Sequence, residues 1–398
     1  MIVNKIVYNP VLEWKYKLTK AEGSLVFDDK GRKIIDFTSG WNVANLGWNH
    51  TEIREAIIGQ AQKNTFTPSW VSSSVQEGYA EKLLAEFPKN INVVCRVCSG
   101  TEANEQAIKI ARVVTGRKKI IGFNDTYHGS TFGSLSIGYR PEYIAELSPL
   151  VSEFIKLDYP DTDKALTLFL EKLEQLLKTK EVAAIITEAG IITGWGSMKV
   201  APKGFLKAIQ HLTKSYGSLL ILDEVGTGFS RCGRLFAYKI DQAEPDIITL
   251  AKAMTNGTSA MGACLTNEQL INNSIGQAKV LSSLAWTPLA CAAAVKVLEI
   301  HKRDRVWETA ETNGAWIKKE LISKLNRSEV KEIRGKGMEI GLELNNTDYT
   351  KNLVENCFKK GLHLWQSDET IIQIMPPLNT PKNILEEGLE ILVKEAKK

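Results

Sequence analysis

The middle of the chain alternates short apolar runs with stretches of helical periodicity, and this alternation limits the fold more than any other feature. The apolar runs are NVVCRV, KIIGF, VAAIIT, LLILDE and DIITLA, with helical patterns such as 102–114, 163–178 and 203–215 between them. Runs that are apolar on both faces and separated by helices are typical of a parallel sheet covered on both sides. The sequence therefore predicts an α/β fold with a large, mostly parallel sheet.

The C-terminal third has a different pattern. A long helical stretch over 289–325 precedes strand-like MEIGLEL, a helix near 349–359, strand-like TIIQIM and a last helix near 381–396. The first 44 residues are too few to form a core of their own. We therefore predict a large domain over 45–285 and a smaller α+β domain made of 1–44 and 286–398.

Composition and charge argue against several classes of protein. The 398 residues carry a formal charge of +4, with scattered Lys and Arg, so no basic patch for nucleic acid is predicted. We also find no apolar run of membrane-spanning length, no signal-peptide core and no His/Asp cluster at metal-ligand spacing. Cys95 and Cys98 are interpreted as two strand residues on opposite faces, not as a redox or zinc pair. We expect a cytoplasmic protein with no nucleic-acid, membrane or metal partner.

Polar and small residues follow each of the five predicted strands. They are Ser99 to Glu102, which fit a helix capping box, then Tyr127 and His128, Glu188, the pair Asp223 and Glu224, and Lys252. The carboxyl ends of parallel strands meet at one edge of a sheet, so these residues are predicted to lie together. A Gly-containing turn that opens a helix also offers N–H groups to a phosphate.

Three kinds of site could use such an edge. A magnesium-dependent NTPase would need Gly-Lys-Ser/Thr, which is absent from the sequence, and a dinucleotide loop would need a third glycine after Gly226 and Gly228. Pyridoxal phosphate requires a lysine, an acid for its ring nitrogen, a phosphate seat and an aromatic residue. The residues at the strand ends supply all four, so they favour pyridoxal phosphate.

The same motifs resemble those of the class III aminotransferases, the ornithine, acetylornithine and ω-amino acid type of fold type I pyridoxal-phosphate enzymes. The matching segments, in order, are GSLVFDDKGRKIIDFTSG, SGTEANEQAIKIAR, YHGST, DEVGTGFSRCGRLFA, PDIITLAKAM, PLACAAAVKVLE, RGKGMEIGLEL and MPPLNTPKNILEEGLEIL. They extend almost from end to end. The resemblance implies a large domain with a mostly parallel, seven-stranded type of sheet.

The resemblance also implies a role for individual residues. Lys252 would hold the cofactor as a Schiff base and carry the proton, and Asp223 would pair with the pyridinium nitrogen. The other implied cofactor contacts are Gly100 and Thr101 at the phosphate, Tyr127 and Val225 on the two ring faces, His128 and Glu188 beside the ring, and Ser283 at the phosphate of a partner subunit. A shared Ser283 implies a homodimer with shared active sites.

The sequence departs from the family at three places near the substrate. Gln373 stands where many glutamate-using relatives carry an Arg that clamps the α-carboxylate, and a neutral amide cannot neutralise that charge. The loop EAGIITGWGSM lacks the second Glu that gates this Arg in ornithine-type relatives. Gly226 replaces a frequent Gln near the ring hydroxyl, and the sequence does not show what fills its place.

Several tryptophans lie near the motif loops. They are Trp41, Trp70, Trp195 and Trp286. Each could pack in the core, but together they predict an aromatic wall for the substrate pocket. With Gln373, they predict a donor that depends less on an α-carboxylate clamp, such as an amine, an ω-amino acid or a bulky substrate.

The predicted reaction is a reversible, two-step (ping-pong) transfer of an amino group from an amine or amino acid to a 2-oxo acid or aldehyde. Racemase, epimerase or aminomutase chemistry is the first alternative, because the same scaffold supports it. A catalytically inert binding protein or an NTPase is the second. Lys252 and Asp223 argue against the inert protein, and the missing Gly-Lys-Ser/Thr argues against the NTPase.

Overall fold

Short strands begin the chain in the computed structural model, which describes residues 2–3, 6–7, 16–138, 144–194, 196–278, 282–325 and 328–397. These strands are β1 (Ile2–Val3), β2 (Ile6–Val7), β3 (Leu18–Glu22), β4 (Leu25–Asp28) and β5 (Lys33–Asp36). β3, β4 and β5 form an antiparallel meander. The chain then enters a left-handed turn over Ser39–Asn42, in which all four residues have φ between +47° and +63°.

The large sheet lies in the middle of the chain. Among the described residues it has seven strands, β6 (Val93–Val97), β7 (Lys119–Phe123), β8 (Phe154–Leu157), β9 (Val182–Glu188), β10 (Leu219–Asp223), β11 (Ile247–Leu250) and β12 (Gly262–Thr266). Their order is β6-β12-β11-β10-β9-β7-β8, and β12 runs antiparallel to both of its neighbours. The five apolar runs are all strands, which confirms the mostly parallel sheet. FIKL of β8 and GACLT of β12 were missed, because a lysine interrupts the first and small residues weaken the second.

Helices cover both faces of this sheet. They are α1 (Thr51–Ala61), α2 (Ser74–Leu84), α3 (Gly100–Thr115), α4 (Phe132–Gly138), α5 (Asp163–Lys178), α6 (Phe205–Tyr216), α7 (Tyr238–Asp241) and α8 (Glu268–Ser274). Alternate residues of β10 point to the two faces: Leu220 and Leu222 join the core that contains α5 and α6, whereas Ile221 joins the core under α3. Burial on both sides explains why the strands read as continuous apolar runs.

The C-terminal part forms the predicted smaller α+β region. Its elements are α9 (Pro288–Arg303), α10 (Val306–Lys324), β13 (Val330–Lys336), β14 (Glu339–Leu344), α11 (Thr347–Lys359), β15 (Leu362–His363), β16 (Trp365–Asp368), β17 (Ile371–Ile374) and α12 (Lys382–Ala396). β13, β14, β17 and β16 form a second sheet in that order. β15 pairs in parallel with β5, so the N-terminal meander is joined to this region. The domain limits at 45 and 285 stay a prediction.

The long helical pattern over 289–325 is two helices, not one. α9 ends at Arg303, and Arg305 adopts a left-handed conformation with φ +48° before α10 begins. The polar run HKRDR has no apolar position that would reveal a break in the periodicity. The interruption turns α10 away from the large sheet toward β13 and α12.

Candidate active site

A cavity of about 320 Å³ lies at the carboxyl edge of the large sheet. The residues predicted at the strand ends line it: Gly100 and Thr101 after β6, Tyr127 and His128 after β7, Glu188 at the end of β9, Asp223 and Val225 at β10, and Lys252 after β11. The edge of the sheet therefore brings together the cofactor residues that were predicted for one protomer.

The start of α3 forms one wall of the cavity. The Ser99 hydroxyl accepts the Glu102 N–H (3.1 Å), and the Glu102 carboxylate accepts the Cys98 N–H (2.7 Å), so a close variant of the predicted capping box begins the helix. A Cβ on Gly100 would lie 2.9 Å from Val225 Cγ2. Only a glycine lets the helix start pack this closely on Val225. The first N–H groups of the helix have no partner within it, which suits an anion.

Asp223 is buried at the end of β10 and is held by three donors. Asn104 Nδ2 donates to Oδ2 (2.8 Å), the Val225 N–H donates to Oδ1 (2.9 Å), and His128 Nδ1 lies 2.7 Å from Oδ2. These contacts fix the carboxylate at the cavity wall. His128 thus acts through Asp223 in this geometry, and its Nε2 is buried without a hydrogen-bond partner in the described structure.

Asn104 was missed by the sequence analysis. Its amide donates to Asp223 and to the His128 carbonyl (2.7 Å), and its Oδ1 accepts from Thr249 (2.7 Å). The available signal was a polar residue on the mostly apolar, buried face of the helix. A buried amide that satisfies three partners at once is costly to replace.

Lys252 follows β11 and opens a short 3₁₀ turn, Lys252–Thr255. Its φ of +44° places the backbone of a residue other than glycine in the left-handed region. This conformation costs roughly 1–2 kcal/mol per residue and is concentrated at functional sites. The strained backbone directs attention to Lys252 independently of its sequence motif.

The position of Thr193, which is bonded to Glu188, explains why residue 226 has no side chain. Thr193 donates its N–H (2.8 Å) and its hydroxyl to Glu188, and burial, followed by the nearby Asp223 charge, raises the pKa of Glu188 to about 7. A Cβ on Gly226 would lie 2.0 Å from Thr193 Oγ1. The altered loop therefore brings Thr193 into the space that a side chain at 226 would need, and Gly226 is required by this loop.

Gln373 is buried beside the cavity in a polar cluster. Its Nε2 donates to Thr193 O (3.1 Å), to Met198 Sδ (2.8 Å) and to Glu339 Oε1 (3.4 Å). The loop after Glu188 contains no second acid, as the sequence shows. In the structure, Glu339 of β14 supplies a carboxylate beside Gln373 from a different element.

The four tryptophans have different surroundings. The ring of Trp41 contacts that of Trp365 edge-on, with 5.0 Å between the ring centroids. Trp365 is the residue of β16 that pairs with Gln373 of β17. Trp70 is 85% exposed and does not line the cavity of its own protomer. Trp286 is fully buried, packs on Tyr79 and donates to Gly262 O (2.7 Å), so its assignment to the pocket was wrong. Trp195 lies outside the described residues.

Two other predictions concern residues away from the cavity centre. Ser283 is exposed in the turn before α9, where it does not line the cavity of its own protomer. Glu224 accepts the N–H groups of Ala237 and Tyr238 (2.7 Å each) and supports the start of α7. Glu224 is therefore a structural acid and not a group of the cavity.

The cysteines and two absences complete the description. All six cysteines are free. Cys95 is in β6, opposite Cys264 on β12, whereas Cys98 lies just after β6, so the prediction of a strand position was wrong for Cys98; its Sγ lies 2.9 Å from Ser282 Oγ. Within the described ranges, no helix combines the length and apolarity that crossing a membrane requires. In the same part of the chain, no three His, Cys, Asp or Glu side chains are grouped as metal ligands would be.

The sequence model of the family described as "Aminotransferase class-III" matches residues 7–395. The chain belongs to this family. It is a pyridoxal-phosphate-dependent aminotransferase that moves an amino group from a donor to an oxo acceptor. The predicted family, fold, cofactor and reaction class are confirmed.

Relatives of this aminotransferase match it over nearly the whole chain. The acetylornithine aminotransferase of Lactococcus lactis subsp. lactis (strain IL1403) is 34% identical over 381 residues, covering 95% of this chain and 96% of the relative. The crystal structure of a Bacillus anthracis aminotransferase superposes with a TM-score of 0.93 at 26% identity, covering 99% and 96%. A thermostable (S)-enantioselective omega-transaminase from Thermomicrobium roseum superposes with a TM-score of 0.86 at 28% identity, covering 96% and 91%.

The chemistry of the cavity fits the cofactor of this aminotransferase. A helix start without a Cβ at Gly100 suits the phosphate, and the fixed carboxylate of Asp223 suits a protonated ring nitrogen. Lys252 supplies the amine. These three features lie around one cavity, which is what pyridoxal phosphate requires.

Proposed function

We propose that this aminotransferase uses an amino donor that does not present an α-carboxylate to the substrate side of the cavity, such as an amine or an ω-amino acid. The observation that carries the proposal is the buried Gln373, whose amide is bonded to Thr193, Met198 and Glu339. A neutral amide committed to other acceptors offers no bidentate cation to a carboxylate. The likeness to an omega-transaminase structure supports the same donor class.

We propose the following roles for the residues around the cofactor. Lys252 Nζ binds the cofactor and then carries the proton from the donor carbon, and Asp223 keeps the ring nitrogen protonated. The remaining proposed contacts are Gly100 and Thr101 at the phosphate, Tyr127 and Val225 at the ring faces, His128 holding Asp223, and Glu188 as a buried supporting acid. When bound, the cofactor supplies an electron-accepting ring that stabilises negative charge on the donor carbon.

The protein groups divide the work between position and proton transfer. Asn104, His128 and the Val225 N–H hold Asp223, so its charge is fixed where a pyridinium would need it. Lys252 lies on the same cavity and can move a proton on or off the donor carbon. Thr193 and Glu188 close the side of the cavity toward Gln373.

We also propose that two copies form a homodimer in which Ser283 of one chain reaches the phosphate site of the other. Ser283 is exposed and lies outside the cavity of its own chain, and Trp70 and Val71 are large exposed apolar side chains that a partner could cover. A cytoplasmic location is proposed from the six free cysteines, which suit a reducing compartment.

A spectral half-reaction screen tests the proposed function. Purified protein should take up pyridoxal phosphate and turn yellow, and borohydride should then fix the cofactor mass on the peptide that contains Lys252. Without added acceptor, 2-aminopropane and ω-amino acids should bleach the absorbance faster than alanine or glutamate. Faster bleaching by the two α-amino acids would refute the proposed donor class.

A further inference from the structure

Glu339 is a fully buried carboxylate next to Gln373, outside the lining of the cavity. Its Oε2 accepts from Asn42 Nδ2 (2.8 Å), and its Oε1 accepts from Gln373 Nε2 (3.4 Å). It does not line the cavity that holds Asp223 and Lys252. The roles proposed for the cofactor site therefore leave Glu339 without a function.

Arg231 is the cation that accompanies Glu339, and it is also fully buried. Its Nη1 donates to the carbonyls of Met338 and Pro376, and its Nη2 donates to Ser39 Oγ and Asn45 Oδ1. Its Nε makes no hydrogen bond in the described structure and lies 4.0 Å from Glu339 Oε2. The guanidinium is thus fixed in place by neutral acceptors, and Glu339 balances its charge.

The cluster of Asn42, Arg231, Glu339 and Gln373, here called the substrate wall, is joined to the cavity by two short links. Gln373 donates to the carbonyl of Thr193, which lines the cavity, and Asn42 precedes Val43, which also lines it. Burial raises the pKa of Glu339 to about 7, while the charges of Arg231 and Lys252 oppose that rise. Glu339 therefore lies within electrostatic reach of the reacting lysine.

The charge balance of the substrate wall determines which donor can approach it. Above about pH 7 Glu339 is mostly ionised, and the wall then has one buried cation and one buried anion, so it offers no net positive charge to a carboxylate. Two carboxylates brought together in a poorly solvated site repel each other strongly. An uncharged donor end encounters no such penalty.

We propose that Glu339 is a specificity-determining residue: by balancing Arg231 and holding the Gln373 amide, it excludes a substrate carboxylate from the substrate wall and selects donors with an uncharged end there. This inference rests on the proposed function and assigns its donor preference to one residue. Glu339 acts on the choice of donor and does not touch the reacting atoms.

Three donors with one carbon skeleton test the inference. 2-Aminopropane, 2-amino-1-propanol and alanine differ only in a methyl, hydroxymethyl or carboxylate group, and kcat/KM for each is measured in the half-reaction without acceptor. In E339Q, the ratio of kcat/KM for alanine to that for 2-aminopropane should rise about 10-fold or more, since charge-assisted contacts differ from neutral ones by roughly this factor. The matched control E387Q, which removes a surface carboxylate paired with Lys33, should leave the ratio within about threefold of the wild type.

A merely structural role for Glu339 predicts a different outcome. Loss of packing in E339Q would lower kcat/KM for all three donors together and leave their ratios unchanged, which would overturn the inference. If the wild type already prefers alanine, the proposed donor class fails. If the wild type prefers the amines but E339Q leaves the ratio unchanged, only the role of Glu339 fails.

The variant Q373R, which retains Glu339, tests the inference independently of whether E339Q folds. In Q373R the introduced guanidinium should pair with Glu339, which a crystal structure would show as a hydrogen bond between them. Alanine should then gain less than about threefold, and the double variant E339Q/Q373R should gain about 10-fold or more over Q373R. A large gain in Q373R alone, with the guanidinium directed into the cavity, would overturn the inference.

Discussion

Asp223, Lys252 and Gly100 lie at the carboxyl ends of strands β10, β11 and β6 of one sheet, whereas Gln373, Glu339 and Asn42 come from the small sheet and the N-terminal turn. The first group lines the cavity, whereas the second is joined to it through Thr193 and Val43, and the two groups are assembled in different ways. The cofactor side is built on a single regular framework. The substrate wall is built by bringing together segments that are far apart in the sequence.

This difference separates two requirements of the enzyme. The cofactor side needs one fixed geometry, and parallel strands provide it because their ends lie in register at one edge. The substrate wall has contributions from several elements, so single substitutions there can change the charge that a donor meets. On the proposed roles, chemistry and donor choice are located in structurally separate parts of the molecule.

Replacing Lys252 should give the largest effect and act on chemistry alone. K252A should lower turnover by about 10²–10⁴-fold or more with every donor, because the proton-transfer group is lost. Turnover and borohydride fixation of the cofactor both report this loss. K239A is the control, since Lys239 forms a surface ion pair with Glu86 and should leave both readings unchanged. A donor-dependent loss in K252A would contradict the separation of the two sides.

The two tryptophans Trp286 and Trp41 should separate stability from donor choice. W286A should reduce the free energy of unfolding by about 3–5 kcal/mol, because it empties a fully buried site. W41A loses one stacked pair with Trp365 and should cost only about 0.5–1.5 kcal/mol. In W41A, KM should change most for bulky donors. Urea unfolding measures the loss of stability, and donor kinetics measure the change in KM. Equal losses of stability in W286A and W41A would contradict the placement of Trp286 in the core and of Trp41 outside it.

Adding a side chain at Gly226 should affect the junction between the two sides. G226A places a Cβ 2.0 Å from Thr193 Oγ1, and such overpacking costs about 1–3 kcal/mol. The melting temperature and the affinity for pyridoxal phosphate should both fall. The double variant G226A/T193A removes the clashing hydroxyl and should recover most of the loss. If the double variant is as unstable as G226A, contact with Thr193 is not the reason that position 226 requires a glycine.

The pH dependence of stability should show a smaller effect from the substrate wall. Burial raises the pKa of Glu339 from 4.5 to about 7, so the folded state holds a proton in this range that the unfolded chain has lost. This contribution to stability is complete below about pH 4.5 and is lost as the pH rises through about 7. E339Q should make the melting temperature less dependent on pH in that window. Glu188 has a similarly raised pKa and should preserve part of the slope.

The sequence allowed prediction of the cofactor side because one rule covers it. Each strand is a continuous apolar run, and the next polar residue is at the functional edge, as for Glu188, Asp223 and Lys252. Asn104 escaped that rule because it lies on a helix, where an isolated amide gives no periodic signal.

The substrate wall could not be predicted in the same way. In MEIGLEL, side chains alternate between the two faces of the strand, so Glu339 is predicted on the face opposite Met338 and Ile340. A glutamate on that face predicts that the face is exposed to solvent. In the fold, the loop with Met198 covers that face next to Gly341, so Glu339 is buried. Contacts between distant segments decide its environment, and no local pattern contains them. The role of Gly226 was hidden for the same reason.

The left-handed turn at Ser39–Asn42 leads from the β5 strand, which is paired with β15, directly to Asn42 and Val43 beside the cavity. The N–H groups of Thr38 and Ser39 donate to the Asp36 carboxylate, and the Ser39 hydroxyl donates to Met375 O, so the turn is tied to both β5 and the segment after β17. Any shift between the meander and the large sheet would therefore be transmitted to the Asn42 amide and to Glu339. Movement of the N-terminal segment would then change which donors are preferred, although none of its residues is needed for proton transfer.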